Sequence, residues 1–185
     1  LAGYDIIGYY DERPVSDRWS YLGDLDAIVQ HSDGIVHAFC IGAVNSAGVK
    51  RRGEIIDRCI ARGVKFINLI SPEAVISEGV RFGVGVFLAH GVVLSVDAHV
   101  DDFSIVNTNA VIGHDANVGR NSIIAPLAFV GGSAKIGSDV LIGPNASVLQ
   151  GCEVGPGSII GTSACVYRDI KPGSTVMPLV TKTLR

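Results

Sequence analysis

A step of six residues from Ile70 lands on Ile76, Phe82, Leu88, Leu94, Val100, Val106, Ile112, Val118, Ile124, Val130, Ile136, Ile142, Val148, Val154, Ile160, Val166 and Pro172. Sixteen of these eighteen positions are Ile, Leu or Val. Four residues after most of them comes a small or modest side chain: Ala98, Ser104, Ala110, Ala116, Ser122, Ala128, Ala134, Val140, Ala146, Cys152, Ser158 and Ala164. Neither a period of 3.6 nor plain alternation yields this register, whereas a hexapeptide repeat is the mark of a parallel β-helix. Three short strands then close one triangular turn of 18 residues, with the aliphatic residue inside the prism and the small one where walls converge. Six turns over residues 70–177, at ordinary strand spacing, predict a prism about 29 Å long. The pattern leaves its handedness open. Gly113, Gly119, Gly131, Gly137, Gly143, Gly155 and Gly161 each follow the aliphatic residue. They suit tight corners that need either positive φ or a close backbone approach.

Upstream of residue 67 the six-residue beat is lost and the chain reads as β/α. Residues 6–10 predict a short strand ending in Asp11-Glu12, residues 23–30 a short helix, and residues 35–41 a second strand stopped by Gly42. Residues 47–62 carry Val49, Ile55, Ile56, Cys59 and Ile60 at helical spacing and close on Gly63, a C-cap. Residues 65–70 form a strand leading into the first coil. Domains of 1–66 and 67–185 follow. The opening Leu1-Ala2-Gly3 reads as a helix tail, and the strand and Gly-rich turn that open a doubly wound nucleotide-binding unit are missing before it. The expectation is an apparently truncated α/β Rossmann-like domain, with the natural polypeptide starting roughly 20 to 30 residues earlier. The strands at 6–10 and 35–41 would then share one parallel sheet with a gap between them.

Composition narrows the class. A hydrophobic share of 48% over 185 residues is enough for a real core, and a net charge of −3 argues against a polyanion-binding surface, hence no nucleic acid. No apolar run approaches a membrane span, and no secretory leader opens the chain. Cys40, Cys59, Cys152 and Cys165 show no CxxC or Cys/His metal spacing, so no metal is expected and the compartment reads as cytoplasmic. Cys152 falls in the small-residue row, where it serves as core filler.

The walls of a β-helix need no polar cluster, so Asn107-Thr108-Asn109-Ala110-Val111-Ile112-Gly113-His114-Asp115 stands out. His114 lies two residues past an inward Ile112, near a corner, and should project outward. Asp115 beside it can hold one imidazole nitrogen and strengthen the other as a base. One coil on stands Gly132, roughly 4.8 Å away, where a bare amide could meet a reacting carbonyl. On residue type alone the pair reads equally as an exposed surface histidine with a neighbouring carboxylate. His31 and His37 read as surface or packing residues, and His90 and His99 sit in other coils, on different faces from His114.

The segment Ile105 to Asp115, with Phe66-Ile67-Asn68-Leu69-Ile70-Ser71-Pro72 upstream, resembles the sialic acid O-acetyltransferase and nucleotide-amino-sugar N-acetyltransferase family. The resemblance runs along the whole chain. It implies a left-handed β-helix, a homotrimer, a preceding domain that binds a nucleotide sugar, and acetyl-CoA as co-substrate. It also implies His114 as general base, Asp115 as the residue that raises its basicity, and Asn107 as a sugar contact. Gly132 would offer its amide to the acetyl carbonyl, and Asp11, Glu12 and Gly42 would touch the nucleotide sugar. Pro144 and Thr162 correspond to coenzyme A contacts, as does Lys182, the one residue kept of the usual C-terminal Gly-x-Pro-Ala-Lys. Ile123 stands where some amino-sugar enzymes carry a second histidine that contacts coenzyme A.

The resulting expectation is an acetyltransferase acting on a nucleotide-linked 4-amino-4,6-dideoxy sugar, with sialic acid hydroxyls as the alternative acceptor. Direct transfer needs no Ser or Cys nucleophile, and none is paired with a base here. A zinc hydratase of the γ-carbonic-anhydrase type would need histidines where this chain has Gly119 and Glu78. A hexapeptide scaffold that only assembles is the third class, separable by a free-thiol assay with acetyl-CoA and candidate sugars.

Overall fold

The computed structural model describes residues 8–11, 13–14, 16–24, 27–28, 37–38 and 46–178. Most of them build a left-handed parallel β-helix of about 6 turns. Its three walls are parallel sheets of seven, six and five strands, each strand only two residues long. Partners along a wall lie 18 residues apart, as Val111 with Phe129 and Asn117 with Lys135. The first wall runs from Leu69–Ile70 to Thr175–Val176, the second from Val75–Ile76 to Cys165–Val166, the third from Arg81–Phe82 to Glu153–Val154.

The interior holds what the six-residue step predicts. Leu94, Val100, Val106, Ile112, Ile124, Val130, Ile142, Val148, Val154 and Ile160 are fully buried. Ala98, Ala110, Ala116, Ala134 and Ala146 are equally buried where the walls meet. Serine enters that row at no penalty because its hydroxyl is satisfied by the next corner. Ser122 Oγ donates to the Gly137 carbonyl at 2.7 Å and accepts the Val140 N–H at 3.1 Å. Cys152 lies in the same row, buried, and burial raises its thiol pKa.

Positive φ falls three residues past the inward aliphatic residue, two past the glycine where one follows it, and among the described residues ten non-glycine residues hold it, Asn109, Asp115, Asn121 and Asn145 included. Asn and Asp tolerate this region better than other side chains. The glycine itself answers the other need, close approach: a Cβ on Gly113 would stand 2.7 Å from the Gly131 carbonyl carbon.

The register breaks once, near the C-terminal end. Beyond Val166 the next inward residue is Ile170, which bridges Val154, and the next strand is Thr175–Val176, which pairs with Ile159–Ile160. Both partners are 16 residues apart, so the last coil is two residues short and Pro172 is displaced from the inward row. Pro172 instead packs over the corner at Gly155, where a Cβ would come within 2.7 Å of its ring.

Ahead of the prism, β1 (His37–Ala38) pairs in parallel with β2 (Phe66–Ile67), joined through helix α1 (Ser46–Ala61). Val49, Arg52, Ile56 and Cys59 form its buried stripe, whereas Ile60, at helical spacing in the sequence, points outward. Gly63 ends the helix at φ 75°. Val49 packs on the outward residues of the first wall, Ile105, Ile123 and Leu141. Arg52 donates to Asn121 Oδ1 and to the Phe103 carbonyl, and Asn121 Nδ2 returns a bond to the Val49 carbonyl at 3.1 Å. Phe66 meets Phe103 edge-on at 5.0 Å. Around Tyr9 the chain makes a bridge to Tyr21. The expected gap between strands 6–10 and 35–41 falls largely on residues outside those described. Among the described residues no helix is long and apolar enough to cross a membrane.

Candidate active site

His114 and Asp115 form the corner that leaves the second wall for the third, between Val111–Ile112 and Asn117–Val118. Asp115 takes the positive-φ position, φ 57°, which folds its carboxylate back onto the preceding ring. Its Oδ2 lies 2.8 Å from His114 Nδ1. The side chains are 55% and 60% exposed, so the pair is open to a ligand and not part of the core. With Nδ1–H donating to the carboxylate, Nε2 carries the lone pair.

Gly132 sits directly under the imidazole, one coil on. A Cβ there would lie 2.7 Å from His114 Cε1 and 2.8 Å from Cδ2, so the ring can lie flat only because residue 132 is glycine. The Ser133 N–H donates to the His114 carbonyl at 2.7 Å and ties the two corners together. Gly132 N–H donates to nothing among the described residues. An exposed imidazole and an unspent amide therefore stand side by side.

The remaining predicted residues separate into groups. Asn107, Pro144 and Thr162 lie on the opposite corner of the second wall, where the first wall turns into it. Asn107 Oδ1 accepts the Thr108 N–H at 2.8 Å, which fixes the side-chain amide. Ile123 is 4% exposed beneath α1, on the outward row of the first wall, and leaves no surface for a ligand. Asp11 is exposed; its N–H donates to the Gly23 carbonyl and its carbonyl accepts from Tyr21 Oη at 3.2 Å. Glu12, Gly42 and Lys182 lie outside the described residues.

Asn107 shares a pocket of about 160 Å³ with Leu69, Ser71, Phe87, His90 and Thr108. His90 was not assigned a role from sequence, since its only signal is a histidine at a corner. A wider cleft of about 530 Å³ under α1 is lined by Lys50, Glu54, Asp57, Arg120 and Asp139, and in it Arg120 pairs with Asp57 at 2.6 Å.

Between the two corners the second wall presents Val75, Val93, Val111, Phe129, Ser147 and Cys165 outward. Val75 is 58% exposed and Phe129 42%, and Leu127 and Leu149 are exposed at its flanks. An apolar stripe thus separates His114 from Asn107 within one chain.

Known proteins share this architecture. Residues 133–168 match the bacterial transferase hexapeptide (six repeats) family. The acetyltransferase domain of PglB from Neisseria gonorrhoeae, solved with acetyl coenzyme A, is 27% identical with a TM-score of 0.84, over 96% of this chain and 88% of that one. A histidine-to-asparagine mutant of perosamine N-acetyltransferase from Caulobacter crescentus, solved with CoA and GDP-perosamine, is 26% identical with a TM-score of 0.75, over 85% and 72%. WeeI from Acinetobacter baumannii shares the fold at 20% identity, with a TM-score of 0.63 over 94% and 84%. No curated protein matches the chain. The hexapeptide core and these likenesses agree: the chain is an acyltransferase, similar to hexapeptide-repeat acetyltransferases that include a perosamine N-acetyltransferase.

Proposed function

We propose that this protein transfers the acetyl group of acetyl-CoA to the amine of a nucleotide-linked 4-amino-4,6-dideoxy sugar, with His114 as general base. The observation that carries the reading is the His114–Asp115 pair at 2.8 Å over the bare Gly132 backbone. His114 Nε2 takes a proton from the amine as its nitrogen attacks the thioester carbon. The Gly132 N–H stabilises the oxyanion, and collapse of the tetrahedral adduct expels the coenzyme A thiolate, which recovers the proton from the imidazolium. Asp115 keeps the tautomer in which Nε2 can accept. The solved relatives support this class of reaction, one holding acetyl coenzyme A and another CoA with GDP-perosamine.

The site in this reading is completed by a second copy. The base stands at one edge of an apolar wall, and Asn107, Pro144 and Thr162 at the other. Closed three-fold packing of that wall brings one copy's base corner against its neighbour's Asn107 corner and buries the exposed Val75 and Phe129. Residues 1–66 then hold the nucleotide part through Asp11, Glu12 and Gly42, and Lys182 serves the coenzyme A end.

The test is thiol release from acetyl-CoA with GDP-linked and UDP-linked 4-amino-4,6-dideoxyhexoses as acceptors. His114→Ala should assemble normally and lose roughly 10²- to 10⁴-fold in turnover, the usual contribution of a general base. Near wild-type turnover in that variant would sink the mechanism. Transfer to sialic acid with none to the amine would move the protein to O-acetylation.

A further inference from the structure

The second anchored histidine is His90. Its Nδ1 lies 2.8 Å from Ser71 Oγ and 3.3 Å from Glu73 Oε2, and Ser71 Oγ also accepts the Glu73 N–H at 3.2 Å. Ser71 is 8% exposed, so one anchor is set in the wall and cannot follow a moving ring. Both partners meet the same nitrogen. That rules out a serine–histidine–acid nucleophile, in which the acid and the serine must bind opposite nitrogens. With Nδ1–H donating to the Glu73 carboxylate, Nε2 is the nitrogen left to accept; it has no partner among the described residues and the side chain is 63% exposed, as at His114 beside Asp115.

Position decides what that nitrogen can meet. His90 and Asn107 line one pocket, floored by Leu69, Phe87 and Leu88. His90 precedes His114 by 24 residues, one and one-third coils, which is about 6 Å along the prism axis. Copies related by a three-fold axis parallel to the prism share the same height. In the three-fold assembly proposed above, the neighbour's His90 would therefore be offset from His114 by about 6 Å along the axis, towards the N-terminal side. Pro144 and Thr162 lie to the other side. Among the described residues no lysine or arginine lines the pocket, and Glu73 stands beside Nδ1, so the site suits a neutral hydroxyl donor against an apolar floor and not a phosphate.

We propose that His90, held by Ser71 and Glu73, is an acceptor-binding residue whose Nε2 accepts a hydrogen bond from a hydroxyl of the sugar whose amine reacts at His114. This rests on the acetyltransferase reading above and adds a specificity contact to it. The measurement is initial-rate kinetics on the full chain with acetyl-CoA and the two 4-amino-4,6-dideoxyhexose nucleotides. His90→Ala should raise KM for the acceptor about tenfold, the worth of one hydrogen bond, with KM for acetyl-CoA within twofold. His90→Gln, whose amide oxygen can accept, should recover part of that loss. Glu73→Gln, which leaves the ring in place, should raise acceptor KM by a few-fold and serves if the alanine variant misfolds. An acceptor KM within twofold of wild type in both His90 variants overturns the proposal, as does a rise confined to acetyl-CoA. Failure of the wild type to acetylate either sugar would overturn the acetyltransferase reading, and this proposal with it.

Discussion

The first and second walls of the prism obey one inward rule and part company outside. On the first, the outward row is Leu69, Phe87, Ile105, Ile123, Leu141, Ile159 and Thr175, and Ile105, Ile123 and Leu141 are buried under α1. On the second, the row from Val75 to Cys165 is also largely apolar, yet Val75 and Phe129 stand exposed. The third wall, with Arg81, His99, Asn117, Lys135 and Glu153 outward, is polar and needs no cover. The difference teaches that the inward step builds the prism while the outward residue of each pair decides what a wall meets. A helix of the same chain covers one apolar wall and leaves the other exposed, the face that the proposed assembly would bury.

Breaking the first wall should have the largest effect. Ile123→Asp places an unpaired carboxylate beneath α1 and should cost about 4 kcal/mol. For a chain of this size that lowers the melting temperature by roughly 8–16 °C in a thermal unfolding scan. A shift of a degree or two would mean that the helix is not seated on that wall.

Val111→Asp makes the matching change on the second wall, between Val93 and Phe129. Here the fold should persist, as read by circular dichroism, while sedimentation shows monomer in place of trimer. Turnover should drop by about 100-fold or more, because base and Asn107 no longer meet across a boundary. Cys165, exposed on this wall, should label with a thiol reagent faster in the variant, while buried Cys59 and Cys152, whose thiol pKa values burial raises, stay slow. A monomer that retains full activity would end the shared-site reading.

A subtler probe of the same edge is Gly132→Ala. The added Cβ pushes against the His114 ring, which can swing into solvent, so stability should hold while turnover falls by about 10- to 100-fold. Unchanged rates would show that the ring need not lie flat over Gly132. Last, Asn117→Lys on the polar wall should change stability by less than about 0.5 kcal/mol and leave assembly intact. A larger loss would mean that this wall, too, has a partner.

The reading from sequence reached the core residue by residue, because a six-residue period can be satisfied by very few folds. It also picked out His114 and Asp115, since adjacent polar residues in a wall row break the pattern. It did not foresee the anchoring of His90, whose partners Ser71 and Glu73 lie 19 and 17 residues away and belong to other coils. It placed Ile123 by a count of nine from the base, and such a count says nothing of the helix packed over that position. It carried the six-residue step through Pro172, where the structure drops two residues. Proline cannot donate to the ladder, and Ile170 offers the nearest aliphatic side chain for the interior.

By itself, the sequence determined the prism, its three walls, its small-residue corners and the outward aim of His114. Those features follow from local period and residue size, which repeat identically in every coil. Only the tertiary structure decided which apolar wall α1 covers, which of two glycine roles applies at the corners, and that Asn107 and His114 stand at opposite edges of the uncovered wall. Each of these depends on contacts between residues one coil or more apart, and a one-dimensional pattern carries no record of which outward faces find a partner.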